Sequence, residues 1–512
     1  MTAVGVDADE LRPAGLPDRI CHYIDGRLVE GRDQRWLPLA DPVTNAAYAE
    51  VAAGSGADVD AAVAAAGAAF VASGWADLPA RRRAAVLMAI GDAIERRDET
   101  IARYESFDTG LPITQARGQA KRAAENFRFF ADLLVGRHEE AFRTTTSQLG
   151  YVLRRPIGIA GLITPWNTPF MLETWKLAPA LAAGCCVVLK PAEWTPLSAS
   201  LLPVIMEEAG VPRGVFNMVQ GIGEVAGAAL VEHPRVPALS FTGETTTGRV
   251  IMASAATHLK RLSMELGGKS PVLVFADADL EGAVDGALFG VFSLNGERCT
   301  AGSRILVERG AYEEFTERFA ERARQVRVGL PHDPATEVGA LVHPAHLERV
   351  KGYVESGIAE GARLVAGGGR PAHLGQGNFL EATVFADVSA TMRIFQEEIF
   401  GPVACLSPFD DEDEALRLAN ATPYGLAGYV WTDDLRRAHR VAAGIDAGMM
   451  WVNSHNIRDL RTPFGGIKAS GVGHEGGERS LDLYTEERMV HVALERAEVP
   501  RFGRGGAGGA CP

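Results

Sequence analysis

The sequence predicts an α/β fold with a largely parallel sheet, on three observations. From Tyr151 onward short apolar runs alternate with helical patterns, at 157–163, 186–189, 215–219, 238–241, 263–266 and 271–275. That alternation is what strand–helix–strand crossovers impose on a chain. A second alternating set, at 303–307, 341–342, 363–366, 403–408 and 428–431, predicts a second α/β domain. With 512 residues, the chain exceeds what one hydrophobic core encloses and calls for two or three domains.

Before Tyr151 the pattern is different. The residues up to Asp18 read as a loose arm. His22-Tyr23-Ile24-Asp25-Gly26 and Trp36-Leu37-Pro38-Leu39 then read as short strands, the first closing in a turn at Asp25-Gly26. Apolar residues three and four apart predict helices over 58–73, 79–98 and 115–134, the second entered through Pro79. On the third, Arg122, Asn126, Phe129 and Phe130 fall near one face. The tail offers a strand over 489–494, and beyond it the glycine-rich 503–509 reads as flexible, with Cys511 exposed.

Composition narrows the function. There are 51 basic and 65 acidic residues, a net charge of −14, which argues against a general nucleic-acid or membrane-surface role. Six cysteines lie scattered without a CxxC pair, as in a reducing compartment, so the cytoplasm is the expected location. The first twenty residues carry Asp7, Asp9 and Glu10 and lack the basic and apolar regions of a signal peptide. Metal chemistry finds little support: His343 and His346 read as a solvated helix start, and there is no HExxH or Cys/His cluster.

The chemistry centres on Cys299, in Asn295-Gly296-Glu297-Arg298-Cys299-Thr300. A free cysteine is more often a small buried hydrophobe than a nucleophile, so the reading needs partners. Glu265 closes a strand and precedes Leu266-Gly267-Gly268-Lys269, where a partly desolvated carboxylate with a raised pKa suits proton abstraction. Asn167, between Pro165 and Pro169, is a candidate oxyanion donor, although turn asparagine is the commoner role for such a residue. Gly221-Ile222-Gly223-Glu224-Val225-Ala226-Gly227 follows a strand but misses the G-x-G-x-x-G spacing by one residue. The stretch from Phe241 to Arg249, with Gly243, Glu244 and Gly248, reads as a strand end turning into a helix whose first amides face a pyrophosphate. Glu244 would repel phosphate unless it points away. Lys190 and Glu193 end another strand, and an acid there accepts from ribose hydroxyls while repelling a 2′-phosphate.

Seven motifs in one order carry a resemblance over most of the chain: Pro165-Trp166-Asn167, Leu189-Lys190-Pro191-Ala192-Glu193, Phe241-Thr242-Gly243, Glu265-Leu266-Gly267-Gly268-Lys269, residues 296–299, Glu397-Glu398-Ile399-Phe400-Gly401-Pro402 and Pro463-Phe464-Gly465-Gly466. Together they resemble the NAD(P)-dependent aldehyde dehydrogenase superfamily, and most of all its 5-carboxymethyl-2-hydroxymuconate semialdehyde dehydrogenase group. The resemblance implies a Rossmann-type cofactor domain (1–143 and 156–265), a catalytic α/β domain (266–480), a small β oligomerisation element (144–155 and 481–500) and a flexible tail (501–512). It implies Cys299 as nucleophile, Asn167 as oxyanion donor and Glu265 as the base that activates water, with Lys176 and Glu475 as a proton relay. Trp166, Lys190, Glu193, Gly223, Gly243, Glu244, Gly248, Leu266, Glu398 and Phe400 are the implied cofactor contacts, with Glu193 favouring NAD. Arg122 and Arg458 are expected to anchor a substrate carboxylate bidentately, and Met171, Trp175 and Phe464 to wall an apolar tunnel. Glu244 and Glu297 depart from the residues many relatives carry. The expected function is NAD-dependent oxidation of a carboxylate-bearing semialdehyde by a homodimer or homotetramer. The competing expectation is a dehydrogenase of broad specificity for uncharged aliphatic or aromatic aldehydes.

Overall fold

The structure is a computed structural model that describes residues 12–497, 499, 502 and 503. The arm expected before Asp18 is therefore described only from Arg12, and the glycine-rich residues from 504, with Cys511, lie outside the described residues.

The first sheet has eight strands in the order Gly471–Val472, Arg261–Glu265, Ala238–Thr242, Ile159–Ile163, Cys186–Lys190, Phe216–Met218, His22–Ile24 and Arg27–Val29. The five from Arg261–Glu265 to Phe216–Met218 run parallel, and the strands flanking them are antiparallel. The central parallel strands are buried on both faces, as helix-covered strands are; every residue of Ile159–Ile163, Cys186–Lys190 and Ala238–Thr242 is buried. At the edge, Asp25 and Gly26 both take positive φ, +51° and +69°, and close the hairpin His22–Ile24 to Arg27–Val29. Gly56–Ala72, Ala80–Glu95, Ile113–Gly136 and Pro169–Ala183 pack into the same core.

The helix expected over 79–98 is broken. Ala80–Glu95 ends at Arg96, Arg97 sits at φ −116° and ψ 11°, and Asp98–Thr109 begins a new helix with Asp98 and Glu99 in its first turn. Acids favour a helix N-terminus, so this charge pattern supports a second start rather than a continuation.

The second sheet has seven strands, in the order Arg363–Ala366, Thr383–Ala386, Val403–Phe409, Arg304–Glu308, Pro271–Val274, Ala427–Trp431 and Met449–Val452. All its pairs are parallel except the first. The apolar run at 271–275 thus belongs to the second sheet, not the first set in which its spacing groups it. Alternation reports that a strand exists and says nothing of which sheet it joins. No strand forms at 341–342: the Leu341 amide donates to the Asn378 carbonyl at 2.8 Å and the Val342 amide to the Glu297 carboxyl at 3.0 Å. Those bonds hold the cysteine loop instead of a ladder.

A third sheet joins Ala141–Thr145, Gln148–Pro156 and Thr485–Ala493, all antiparallel, so the tail strand begins earlier than 489. Arg19–Ile20, Ala47–Ala52 and Trp36–Ala40 form a fourth. Among the described residues no helix is long and apolar enough to cross a membrane.

Candidate active site

Ile159–Ile163, Cys186–Lys190, Ala238–Thr242 and Arg261–Glu265 are parallel neighbours, so their carboxyl ends share one edge, where open α/β sheets hold ligands. From these ends come Asn167, Lys190, Gly243 and Glu265. Facing them is the loop of Cys299, which belongs to the chain entering the second sheet at Arg304. A cavity of about 220 Å³ between the two is lined by Trp166, Asn167, Gly243, Glu244, Glu265, Leu266, Cys299, Glu398 and Phe400 among others.

The cysteine loop is fixed from behind. After the helix Leu280–Phe292 the chain turns through Leu294, Asn295 and Gly296, all at positive φ. The Asn295 amide donates to the Gly110 carbonyl at 3.1 Å and the Ala340 carbonyl at 2.9 Å, and its oxygen accepts from the Gly339 amide at 2.7 Å. Gly296 leaves no room for a side chain, since a Cβ would run into the backbone of Gly401. Two residues on from Asn295, the buried Glu297 accepts from Val342, and its peptide oxygen accepts from Asn167 Nδ2 at 2.8 Å. Burial raises the pKa of the Glu297 carboxyl well above its usual range. Cys299 itself is half-buried, and desolvation pushes its thiol up to about 11, against the lowering effect of Arg458. The free protein therefore keeps it protonated at neutral pH, and a reactive thiolate requires a proton acceptor.

Glu265 fits that need. It is buried, and neither carboxylate oxygen has a hydrogen-bond partner among the described residues. Desolvation raises its pKa most, followed by Glu475, while Lys176 and Arg458 oppose. Behind it Lys176 pairs with Glu475, and Ser240 Oγ bridges the two at 2.8 and 2.7 Å. Glu475 arrives because Gly471–Val472 returns to the first sheet beside Arg261–Glu265.

On the opposite side of the cavity, Phe400 at φ +61° sets its ring edge-on to Trp166, with centroids 5.3 Å apart. Glu398 accepts from the Gly268 amide at 2.9 Å, and burial raises its pKa to about 7. Glu244 precedes the helix Thr245–Ala255 and is exposed, making no capping bond. Gly248 lets that helix approach the strand end: a Cβ there would meet Leu266 Cδ2 at 2.5 Å. Lys190 Nζ holds Glu193 Oε2 at 2.8 Å, adjoining Trp194, which lines the cavity. Gly223 does not line this cavity; it is exposed and opens the π-helical turn Gly223–Gly227.

A second cavity, about 550 Å³, is lined by Arg122, Arg298, Arg458, Gln119, Phe289, Asn456 and Leu460 among others. Arg458 lies over the Phe464 ring at 4.1 Å and the Trp175 ring at 6.0 Å, and these two rings meet edge to face. Met171 is buried one turn before Trp175, and its carbonyl accepts from Asn126 at 3.4 Å. Arg122 hydrogen-bonds Gln119 Oε1 at 3.1 Å. Its pKa is lowered to about 9 by burial and then by Arg458 and Arg298.

Sequence reading misses two participants. Arg298 stands inside the cysteine motif, where it reads as a flank. His346, read with His343 as a solvated helix start, is instead buried, bonding the Phe400 carbonyl at 2.7 Å; only His343 serves the start of Pro344–Ala359, accepting from the Ala345 amide. The spacing of the two histidines put both on a helix end, and only packing against 398–400 decides which is covered. Among the described residues no group of three His, Cys, Asp or Glu side chains is placed to hold a metal ion.

Known proteins share this arrangement. The family model "Aldehyde dehydrogenase family" matches residues 28–490. The chain is 51% identical over 465 residues to the 5-carboxymethyl-2-hydroxymuconate semialdehyde dehydrogenase of Escherichia coli, covering 90% of this chain and 98% of that one. It is 43% identical to the 2-hydroxymuconic semialdehyde dehydrogenase of Pseudomonas sp. (strain CF600), covering 93% and 99%. Among solved structures, HpcC from Thermus thermophilus superposes with a TM-score of 0.94 at 50% identity, over 97% of each chain. An NAD+ complex of an aldehyde dehydrogenase from Bacillus cereus gives 0.92 at 39%, covering 96% and 100%. With matches of this extent across sequence and structure, the chain belongs to the aldehyde dehydrogenase family.

Proposed function

We propose that this enzyme oxidises a muconate-type semialdehyde, an aldehyde that also carries a carboxylate, to the corresponding acid with NAD as acceptor. The observation that carries the substrate class is the pair Arg122 and Arg458, two guanidiniums without an acidic partner among the described residues, in a cavity also lined by Arg298, the residue before the cysteine. Guanidinium binds carboxylate with two parallel hydrogen bonds. Relatives named for hydroxymuconate semialdehydes support the same reading.

The residues at the sheet edge fit a dinucleotide. Gly243 and the first amides of Thr245–Ala255 offer a cradle without side chains, Thr242 Oγ1 is buried without a partner, and the Glu398 carboxylate opens on the cavity. Lys190, Glu193 and Glu398 would hold ribose hydroxyls, with Glu193 disfavouring a 2′-phosphate, and Trp166 and Phe400 would flank the nicotinamide. Bound there, NAD supplies a hydride acceptor.

The chain's own groups do the rest. Glu265 takes the Cys299 proton and passes it on toward Glu475, which restores the carboxylate, and the thiolate attacks the aldehyde carbon. The second Asn167 amide hydrogen and the Cys299 backbone N–H hold the oxyanion, a type of donor worth about 3 kcal/mol each in a transition state. Loss of hydride leaves a thioester on Cys299. Glu265 then draws a proton from water, which attacks the thioester and releases the acid, and the proton passes toward Glu475 and Lys176.

We also assign residues 1–143 with 156–265 to cofactor binding, 266–480 to catalysis and 144–155 with 481–500 to assembly of a cytoplasmic homo-oligomer. The return of 471–475 to the first sheet joins the first two units.

The test compares kcat/KM for 2-hydroxymuconic semialdehyde and for butanal in Arg122→Ala and Arg458→Ala. A lost hydrogen bond to a charged group is worth about 1.5–3 kcal/mol, so the acid should lose roughly 10- to 100-fold relative to butanal. Equal losses on both would instead support a broad-specificity aldehyde dehydrogenase.

A further inference from the structure

Two arginines suffice for one carboxylate, yet the cavity of Arg122 and Arg458 holds three. Arg298 lines it with Arg122 and Arg458. It is buried, and among the described residues its guanidinium makes one hydrogen bond, from Nη1 to Ser293 Oγ at 2.6 Å, with the Phe289 ring 5.6 Å away. No ion pair is recorded for any of the three among the described residues. Glu125 is the acid that lines the same cavity, and its carboxylate is engaged by Arg128 at 2.9 Å. The three cations repel one another, as the coulombic influence of Arg298 on both Arg122 and Arg458 records. Such a cluster in a chain of net charge −14 is costly without a bound anion, and one carboxylate offsets only one of the three charges.

We propose that Arg298 is a specificity-determining residue that binds the second carboxylate of a substrate carrying two. The inference rests on the semialdehyde reading above and deepens it. Arg458 rests on Phe464 and Trp175, neither of which lines this cavity, whereas Arg298 rests on Phe289, which does. The two guanidiniums are therefore held by separate aromatic side chains, and each keeps donors for a group of its own. Arginine suits the position because its planar fork keeps donors for the cavity while one nitrogen is held by Ser293.

The two semialdehydes that differ by a single carboxymethyl group give the test. Steady-state kcat/KM is measured with 5-carboxymethyl-2-hydroxymuconate semialdehyde, 2-hydroxymuconic semialdehyde and butanal, for the native enzyme, Arg298→Gln and Arg298→Lys. Arg298→Gln should lose at least tenfold more on the carboxymethyl substrate than on its monocarboxylate analogue, mainly through KM, and Arg298→Lys should recover part of that difference. Equal losses on all three substrates would mean that Arg298 acts on Cys299 or on the fold, and would overturn the proposal. So would an unchanged ratio between the two acids. Should the native enzyme show no preference for either acid over butanal, the carboxylate reading itself fails; preference for both acids with an unmoved ratio in Arg298→Gln removes only this inference. Thermal unfolding of both variants separates a folding defect from a binding one.

Discussion

At the residue scale, the active centre pairs two groups whose charged forms are both disfavoured. Burial raises the Cys299 thiol to about 11 and raises the Glu265 carboxyl, so neither ionises readily alone in the free protein. A thiol with a raised pKa is protonated below it and becomes nucleophilic as pH rises, so alkylation of Cys299 by iodoacetamide should accelerate with pH across the neutral range. Arg458 lowers that pKa, and Arg458→Gln should move the alkylation profile to higher pH; a shift to lower pH would contradict this electrostatic account. Glu265→Gln separates the two halves of the reaction. Because Glu265 accepts the thiol proton and also activates water, the burst of reduced cofactor should slow and steady turnover should fall about 10²–10⁴-fold, the usual worth of a general base. A burst of unchanged rate would show that Cys299 loses its proton to another acceptor and that Glu265 acts only after the thioester.

At the element scale, the loop 294–296 does more than connect a helix to a strand. Asn295 makes three buried hydrogen bonds to residues 110, 339 and 340, each worth about 1 kcal/mol net and costing more when one partner is left unsatisfied. Asn295→Ala should destabilise by about 3 kcal/mol, read as a lower midpoint in denaturant. Gly296→Ala combines a residue at φ +72° with a collision against Gly401, so it should slow Cys299 alkylation even where the variant folds. Native alkylation in a folded Gly296→Ala protein would show that the loop tolerates displacement. None of this was legible from the motif: the sequence shows an asparagine and a glycine near a cysteine, while their partners come from a helix end and an extended segment elsewhere in the chain. The helix break at Arg97, by contrast, left a readable trace in the switch from Arg96-Arg97 to Asp98-Glu99.

At the scale of the whole molecule, the sheet of Ala141–Thr145, Gln148–Pro156 and Thr485–Ala493 exposes Phe142 and Met489 on the face of Gly150 and Val152, each more than a third accessible. Exposed apolar side chains of this kind suit an interaction surface, and the proposed assembly of the enzyme would use this face. Phe142→Glu with Met489→Glu should reduce the mass seen by light scattering, and an unchanged mass would place the contact elsewhere. Strand–helix alternation and the ordered motifs sufficed for the sequence to determine the fold class and the family and to single out Cys299, Glu265 and Asn167 as candidates, because periodicity and short motifs are local properties of the chain. Which sheet takes the strand at 271, that 471–475 comes back to carry Glu475 to Lys176, that His346 is covered, and that Arg298 joins Arg122 and Arg458 in one cavity were decided only by tertiary structure. Each depends on contacts between residues tens to hundreds of positions apart, and those are set by how sheets and helices pack rather than by any pattern along the chain.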